Sequence, residues 1–170
     1  MTTSAELLID GFGRIRENVA DVLSGLTPDQ LAHQVAAGAN PISWLVWHLT
    51  RVQDNHVGTA FGAEQIWSAG GWAGRFGLPP GITDHGYGHT PSQVAAVAAV
   101  TASAELLAEY HEATYAQTVK LVGEITDADL DRIVDTRWTP AVTLGVRLVS
   151  VLDDDLQHVG QAAYVRGLLL

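Results

Sequence analysis

His48 in WHLTRVQD, and Asp154 and His158 in DDDLQHVGQ, combine two imidazoles and a carboxylate that could bind a metal. Asp154 and His158 are four apart, so on one helix they share a face. That face reads as an apolar seam through Val151, Asp154, His158, Ala162, Val165 and Leu169. His48 holds the same kind of position in Leu45, His48, Val52 on another helix. A carboxylate or imidazole on such a seam is costly unless paired or bound to a cation. Of the run Asp153, Asp154, Asp155, only one can point fully inward; the apolar partners select Asp154 and leave the other two on solvated flanks. Each residue alone has a plainer reading, since Asp/His pairs at this spacing arise by chance and a core histidine can donate to a backbone carbonyl. Together, two imidazoles and a carboxylate on facing helices predict a divalent-metal site.

Such a donor set suits Zn²⁺ first, with Ni²⁺, Fe²⁺ and Mn²⁺ also compatible. Three protein ligands leave a coordination position open, as in catalytic sites. The metal could lower the pKa of water for hydrolysis, or that of a thiol for nucleophilic attack. The chain has no cysteine. Disulfides, thiolate metal sites and cysteine nucleophiles are therefore excluded, and any thiol must arrive on a small molecule.

His56, two turns beyond His48, is a group supporting the metal ligands, a substrate contact near the bundle mouth, or, as the plainer reading, a solvent-facing helix-end residue. Trp67 and Trp72 are candidates for lining a substrate pocket, whereas Trp44 and Trp47 read as core. Arg51 and Asp54 read as charged flanking positions, and His33 and His111 as surface residues. His85 and His89, in DHGYGHT, have a metal-like spacing but too many glycines for a helix; His89 reads as structural beside Thr90.

Four long helical patterns must position these groups. The first covers about residues 4–24, with Leu7, Leu8, Phe12, Ile15, Val19 and Val22 in register. Thr27-Pro28-Asp29-Gln30 has the form of a capping box and opens a short helix. Asn40-Pro41 starts the second long helix, to about Gly58, apolar on most sides and so central. Thr90-Pro91-Ser92-Gln93 starts the third, expected to run to about Gly123, and the fourth runs from about Thr143 to the end. Between the second and third lies a long segment, Thr59 to His89, with Gly62, Gly70, Gly71, Gly74, Gly77, Gly81, Gly86 and Gly88. Its glycines match no phosphate-cradling motif. The expected fold is all-α: a four-helix bundle with a long crossover between helices 2 and 3.

At 170 residues the chain should form one domain, 1–170. It is 47% hydrophobic and 16% charged, with a formal net charge of −10. That charge argues against nucleic acid and acidic membrane surfaces as partners. The N-terminal stretch lacks the form of a signal peptide and no apolar run is long enough to span a membrane, so the expected location is the cytoplasm.

WLVWHLTRVQDNHV, the glycine-rich crossover and DDDLQHVGQAAYVRG together resemble the DinB-like (DinB/YfiT) superfamily over essentially the whole chain. Within it the chain is most similar to mycothiol S-transferases and the mycothiol-dependent maleylpyruvate isomerases. The resemblance implies a four-helix bundle with a divalent metal on one histidine of the second helix and an H-x3-H or E-x3-H pair of the last. His48 and His158 match two ligands; Asp154 takes the third place, one methylene shorter than glutamate. The implied activity is transfer or isomerisation using a low-molecular-weight thiol such as mycothiol on small electrophiles. A metal-dependent hydrolase, or a non-catalytic metal- or ligand-binding stress protein, would fit the same centre. A homodimer is compatible with the apolar helix faces, without one being singled out.

Overall fold

The computed structural model describes residues 2–79, 82 and 85–170; Gly81 of the glycine-rich crossover lies outside them. The long helices are α1 (Ser4–Leu23), α3 (Ile42–Phe61), α7 (Ala104–Gly123) and α8 (Leu144–Leu169). Short helices α2 (Pro28–Ala32), α4 (Ile66–Ala69), α5 (Trp72–Phe76) and α6 (Pro91–Thr101) occupy the connections. The two predicted Thr-Pro-x-Gln capping boxes form: Thr27 and Thr90 each exchange hydrogen bonds with the glutamine three residues on. Asn40 does not cap α3; Pro41 takes that position, with no side-chain bond to the helix.

Contacts fix the helix directions. Gly11 faces Leu152 and Arg166 donates to the Val22 carbonyl, so α1 and α8 run the same way. Arg16 meets Glu112 and Gly123 lies near Ile9, so α7 opposes α1. His48 meets His158 while His56 meets Arg147, so α3 opposes α8. The successive long helices α3 and α7 are therefore parallel, which no short turn can join; the crossover is a geometric necessity. The core shared by these helices includes Phe12, Ile15, Leu45, Trp47, Leu49, Leu107, Leu148 and Val159.

One expected helix is two. The segment from Thr90 to Gly123 breaks at Ala102-Ser103, where the axes of α6 and α7 turn by 98°. Ser103 accepts from Leu106 N at 3.2 Å and starts the new helix. The turn lets Val94, Val97 and Ala98 of α6 bury against α2 and α3 while α7 enters the bundle. Before α8, residues Ile133–Asp135 and Val142–Thr143 pair as an antiparallel β1–β2 hairpin. No single helix among the described residues is long and apolar enough to cross a membrane.

Candidate metal centre and adjoining cavity

α3 and α8 bring His48, Asp154 and His158 together, with one donor atom of each within 4.8 Å of the others. His158 Nε2 stands 3.7 Å from Asp154 Oδ1. Ligands about 2.1 Å from a tetrahedral zinc sit roughly 3.4 Å apart, close to the separation of His158 Nε2 and Asp154 Oδ1.

The imidazoles are oriented from behind. His48 Nδ1 donates to the His85 backbone carbonyl, which leaves Nε2 as its free nitrogen. Trp44 stacks on the same ring at 4.5 Å and 12°. His158 Nδ1 lies 3.0 Å from Gln161 Oε1, leaving its Nε2 for the site. Such partners fix tautomer and ring orientation in metal-binding histidines. The plainer reading of His48, a core histidine bonded to a carbonyl, thus holds for Nδ1, and Nε2 stays available to a cation. His48 is 3% exposed, and burial lowers its pKa to about 4, so it stays neutral near pH 7. Burial pushes the Asp154 carboxyl up while His158 beside it pulls it down. Asp154 Oδ2 is buried without a hydrogen-bond partner among the described residues, which a cation would remedy. The three residues therefore fit a divalent metal by donor type, separation and the orphaned oxygen.

The seam itself differs from the expected one. The buried stripe of α8 runs Leu148, Val151, Asp155, Val159 and Ala162, so Asp155 is the fully buried aspartate. Steps of three and four from Val151 both satisfy helical periodicity; the step of four keeps Val159 in the core and sets Asp154 and His158 on its border, half-buried and facing α3. Neither Asp155 oxygen has a partner among the described residues, and burial followed by the Asp154 charge holds its carboxyl well above the usual range.

Other expectations also change. Arg51 and Asp54 are each 2% exposed and form an ion pair at 3.4 Å. Asp54 accepts from Ile66 N at 2.8 Å, Trp67 N at 2.7 Å and Tyr110 Oη at 2.8 Å, tying the start of the crossover to α3 and α7. Trp67 and Trp72 pack with Phe76 and Tyr110 in a buried aromatic cluster and do not line the cavity described below. His111 is buried, its Nδ1 3.1 Å from Thr50 Oγ1, and burial lowers its pKa to about 4. His33 is exposed as expected. His89 accepts from Trp44 Nε1 at 3.3 Å, a structural place beside Thr90.

His56 is half-buried and lines a cavity of about 560 Å³ between the end of α3, the hairpin and the start of α8. Arg137, Arg147, Asp135 and His85 also line it. His85 belongs to both places: its carbonyl holds His48, and its ring lies 5.4 Å from that of His56. Sequence reading missed Gly86, whose φ of +93° and lack of a side chain let the crossover press against Trp47, His48 and Trp44. It also missed the Asp135–arginine group, which carries no motif.

A bundle with one crossover, bearing two histidines and a carboxylate on α3 and α8, defines a DinB-like protein. The family model described as mycothiol-S-transferase matches residues 7–169, and the chain belongs to that family. A crystal structure of a conserved protein from Enterococcus faecalis is similar at 31% identity and a TM-score of 0.88, covering 98% of this chain and 96% of that one. No curated protein matches the chain.

Proposed function

We propose that this protein is a divalent-metal-dependent S-transferase that joins a low-molecular-weight thiol of the mycothiol class to a small electrophile. The observation that carries the reading is the convergence of His48, Asp154 and His158 donors within 4.8 Å. Family membership supplies the thiol-transferase character.

The three residues would hold the metal, zinc being the first candidate. A divalent metal held by one carboxylate and two imidazole nitrogens would keep positive charge and would lower the pKa of a thiol brought to it. The protein's own part is positional. Trp44 and the His85 carbonyl keep His48 in one orientation and tautomer, and Gln161 does so for His158. Asp154 and His158 have 35% and 19% of their side chains exposed, so the centre is reached from solvent on that side. The thiol would give up its proton to solvent, its sulfur would form the new bond to an electrophilic carbon, and the leaving group would depart from that carbon with the electron pair of the broken bond. With no cysteine in the chain, the sulfur comes from the cosubstrate.

The test is metal content followed by loss of mycothiol with chlorodinitrobenzene. Thiol loss and chloride release that depend on metal support the proposal. Metal-loaded protein that consumes no thiol sinks it, and turnover of ester or amide substrates without thiol would favour a hydrolase.

A further inference from the structure

The cavity beside the candidate metal centre has two guanidiniums and one carboxylate in its wall. Asp135, on β1 and with 7% of its side chain exposed, accepts from Arg147 Nη2 at 2.9 Å. It also accepts from Arg137 Nε at 3.0 Å and Nη2 at 2.8 Å. Two guanidiniums thus share one carboxylate. His56 adds no charge near pH 7, because burial and then the Arg147 charge lower its pKa to about 4. Arg137 and Arg147 thus outnumber Asp135 in the cavity wall, inside a chain of formal net charge −10. The two arginines differ in freedom. Arg147 has 14% of its side chain exposed and its Nη1 lies 3.4 Å from His56 Nδ1, whereas Arg137 has 80% exposed.

We propose that this cavity is a carboxylate subsite of the metal centre, taking one end of a small organic molecule whose reacting end lies at the metal. The assignment rests on the metal–thiol reading above. Arg137 already presents Nε and Nη2 to a carboxylate as a planar fork, the geometry that distinguishes carboxylates from other anions of similar size. Being exposed, it can turn that fork from Asp135 onto a ligand while Arg147 keeps Asp135 paired. Asn55, Thr59 and Thr136 add neutral hydrogen-bonding groups to the wall, and the volume suits a small molecule. His85 joins the cavity to the metal centre, its ring 6.4 Å from that of His48. The carboxylate could belong to the thiol or to the electrophile; the chemistry recognised is the same.

Succinate, which has no thiol, tests the cavity directly on the full chain with and without zinc, by amide chemical-shift titration. The expected result is perturbation of residues 55–59 and 134–137 in both forms, with affinity about tenfold or more weaker in Arg137→Gln. Arg137 is exposed, so this variant should fold; Arg147→Gln is the second, expected to act in the same direction. No binding, binding unchanged in both variants, or shifts confined to the surroundings of His48 and His158 would overturn the proposal. The source of the carboxylate is read on cobalt-loaded protein by thiolate absorption with N-acetylcysteine against N-acetylcysteamine. A preference for N-acetylcysteine that Arg137→Gln abolishes places the carboxylate on the thiol. Equal binding with succinate seated alongside places it on the electrophile. If neither thiol gives the absorption, the metal–thiol reading fails, while the succinate titration still decides the cavity.

Discussion

Replacing Gly86 by alanine should weaken the metal centre although residue 86 donates nothing to it. A Cβ there would stand 2.9 Å from Trp47 Cζ3, 3.0 Å from His48 Nδ1 and 3.1 Å from Trp44 Cζ2. Ordinary contact begins near 3.4 Å, so the chain at Gly86 must retreat by about half an ångström or push the rings aside. The φ of +93° adds roughly 1–2 kcal/mol for any L side chain. Retreat draws the His85 carbonyl away from His48 Nδ1, and losing such a supporting hydrogen bond typically costs about 10–100-fold in metal affinity. Gly88→Ala is the control: its φ is +74°, but a Cβ there meets nothing within 4 Å. Both variants should lose melting temperature, and only Gly86→Ala should lose metal affinity in a competition titration with a chromophoric chelator. Equal metal affinities in the two variants would show that the His85 carbonyl does not support metal binding at His48.

Other outcomes follow from the same geometry. Gln161→Ala, at an exposed site, should weaken metal binding by about tenfold while leaving the metal-free melting temperature unchanged. Asp54→Ala strips the buried Arg51 of its carboxylate and should cost roughly 3–5 kcal/mol, a fall in Tm of about 10 °C by calorimetry; a loss under about 1 kcal/mol would deny the network its role. His111 has a folded pKa of about 4 against an ordinary 6.5, so the unfolded chain binds more protons between those values. Its contribution is intact above pH 6.5 and is lost as pH falls toward 4, about 3 kcal/mol in all. His111→Phe should remove that part of the acid sensitivity in urea unfolding at pH 7.5 and 4.5; an unchanged difference between the two pH values would contradict it.

The long helices and the convergence of His48, Asp154 and His158 were legible because capping boxes, apolar periodicity and four-residue spacing are local properties. Thr27, Thr90 and the pair Asp154–His158 show this. The choice between Asp154 and Asp155 as the buried residue was not, since a helix of 3.6 residues per turn permits steps of three or four and the partner helices decide. Arg51 and Asp54 read as charged flanking positions and His111 as a surface residue because their polarity conceals partners that only tertiary packing supplies, such as Tyr110, Gln65 and Thr50. The break at Ser103 was hidden for a similar reason: an alanine-rich run is helical on either side, and the burial of α6 against α2 and α3 bends it. Gly86 was one glycine among many in the crossover. Its role appears only when Trp44, Trp47 and His48 stand beside it.

The most direct test of the central claim is a cobalt titration of the full chain and of His158→Ala, each followed by addition of mycothiol. The expected result is one tightly bound cobalt per wild-type chain and a new near-ultraviolet thiolate-to-cobalt absorption when the thiol is added, both lost in the variant. Stoichiometric cobalt whose spectrum ignores mycothiol, or cobalt bound equally well without His158, would contradict it.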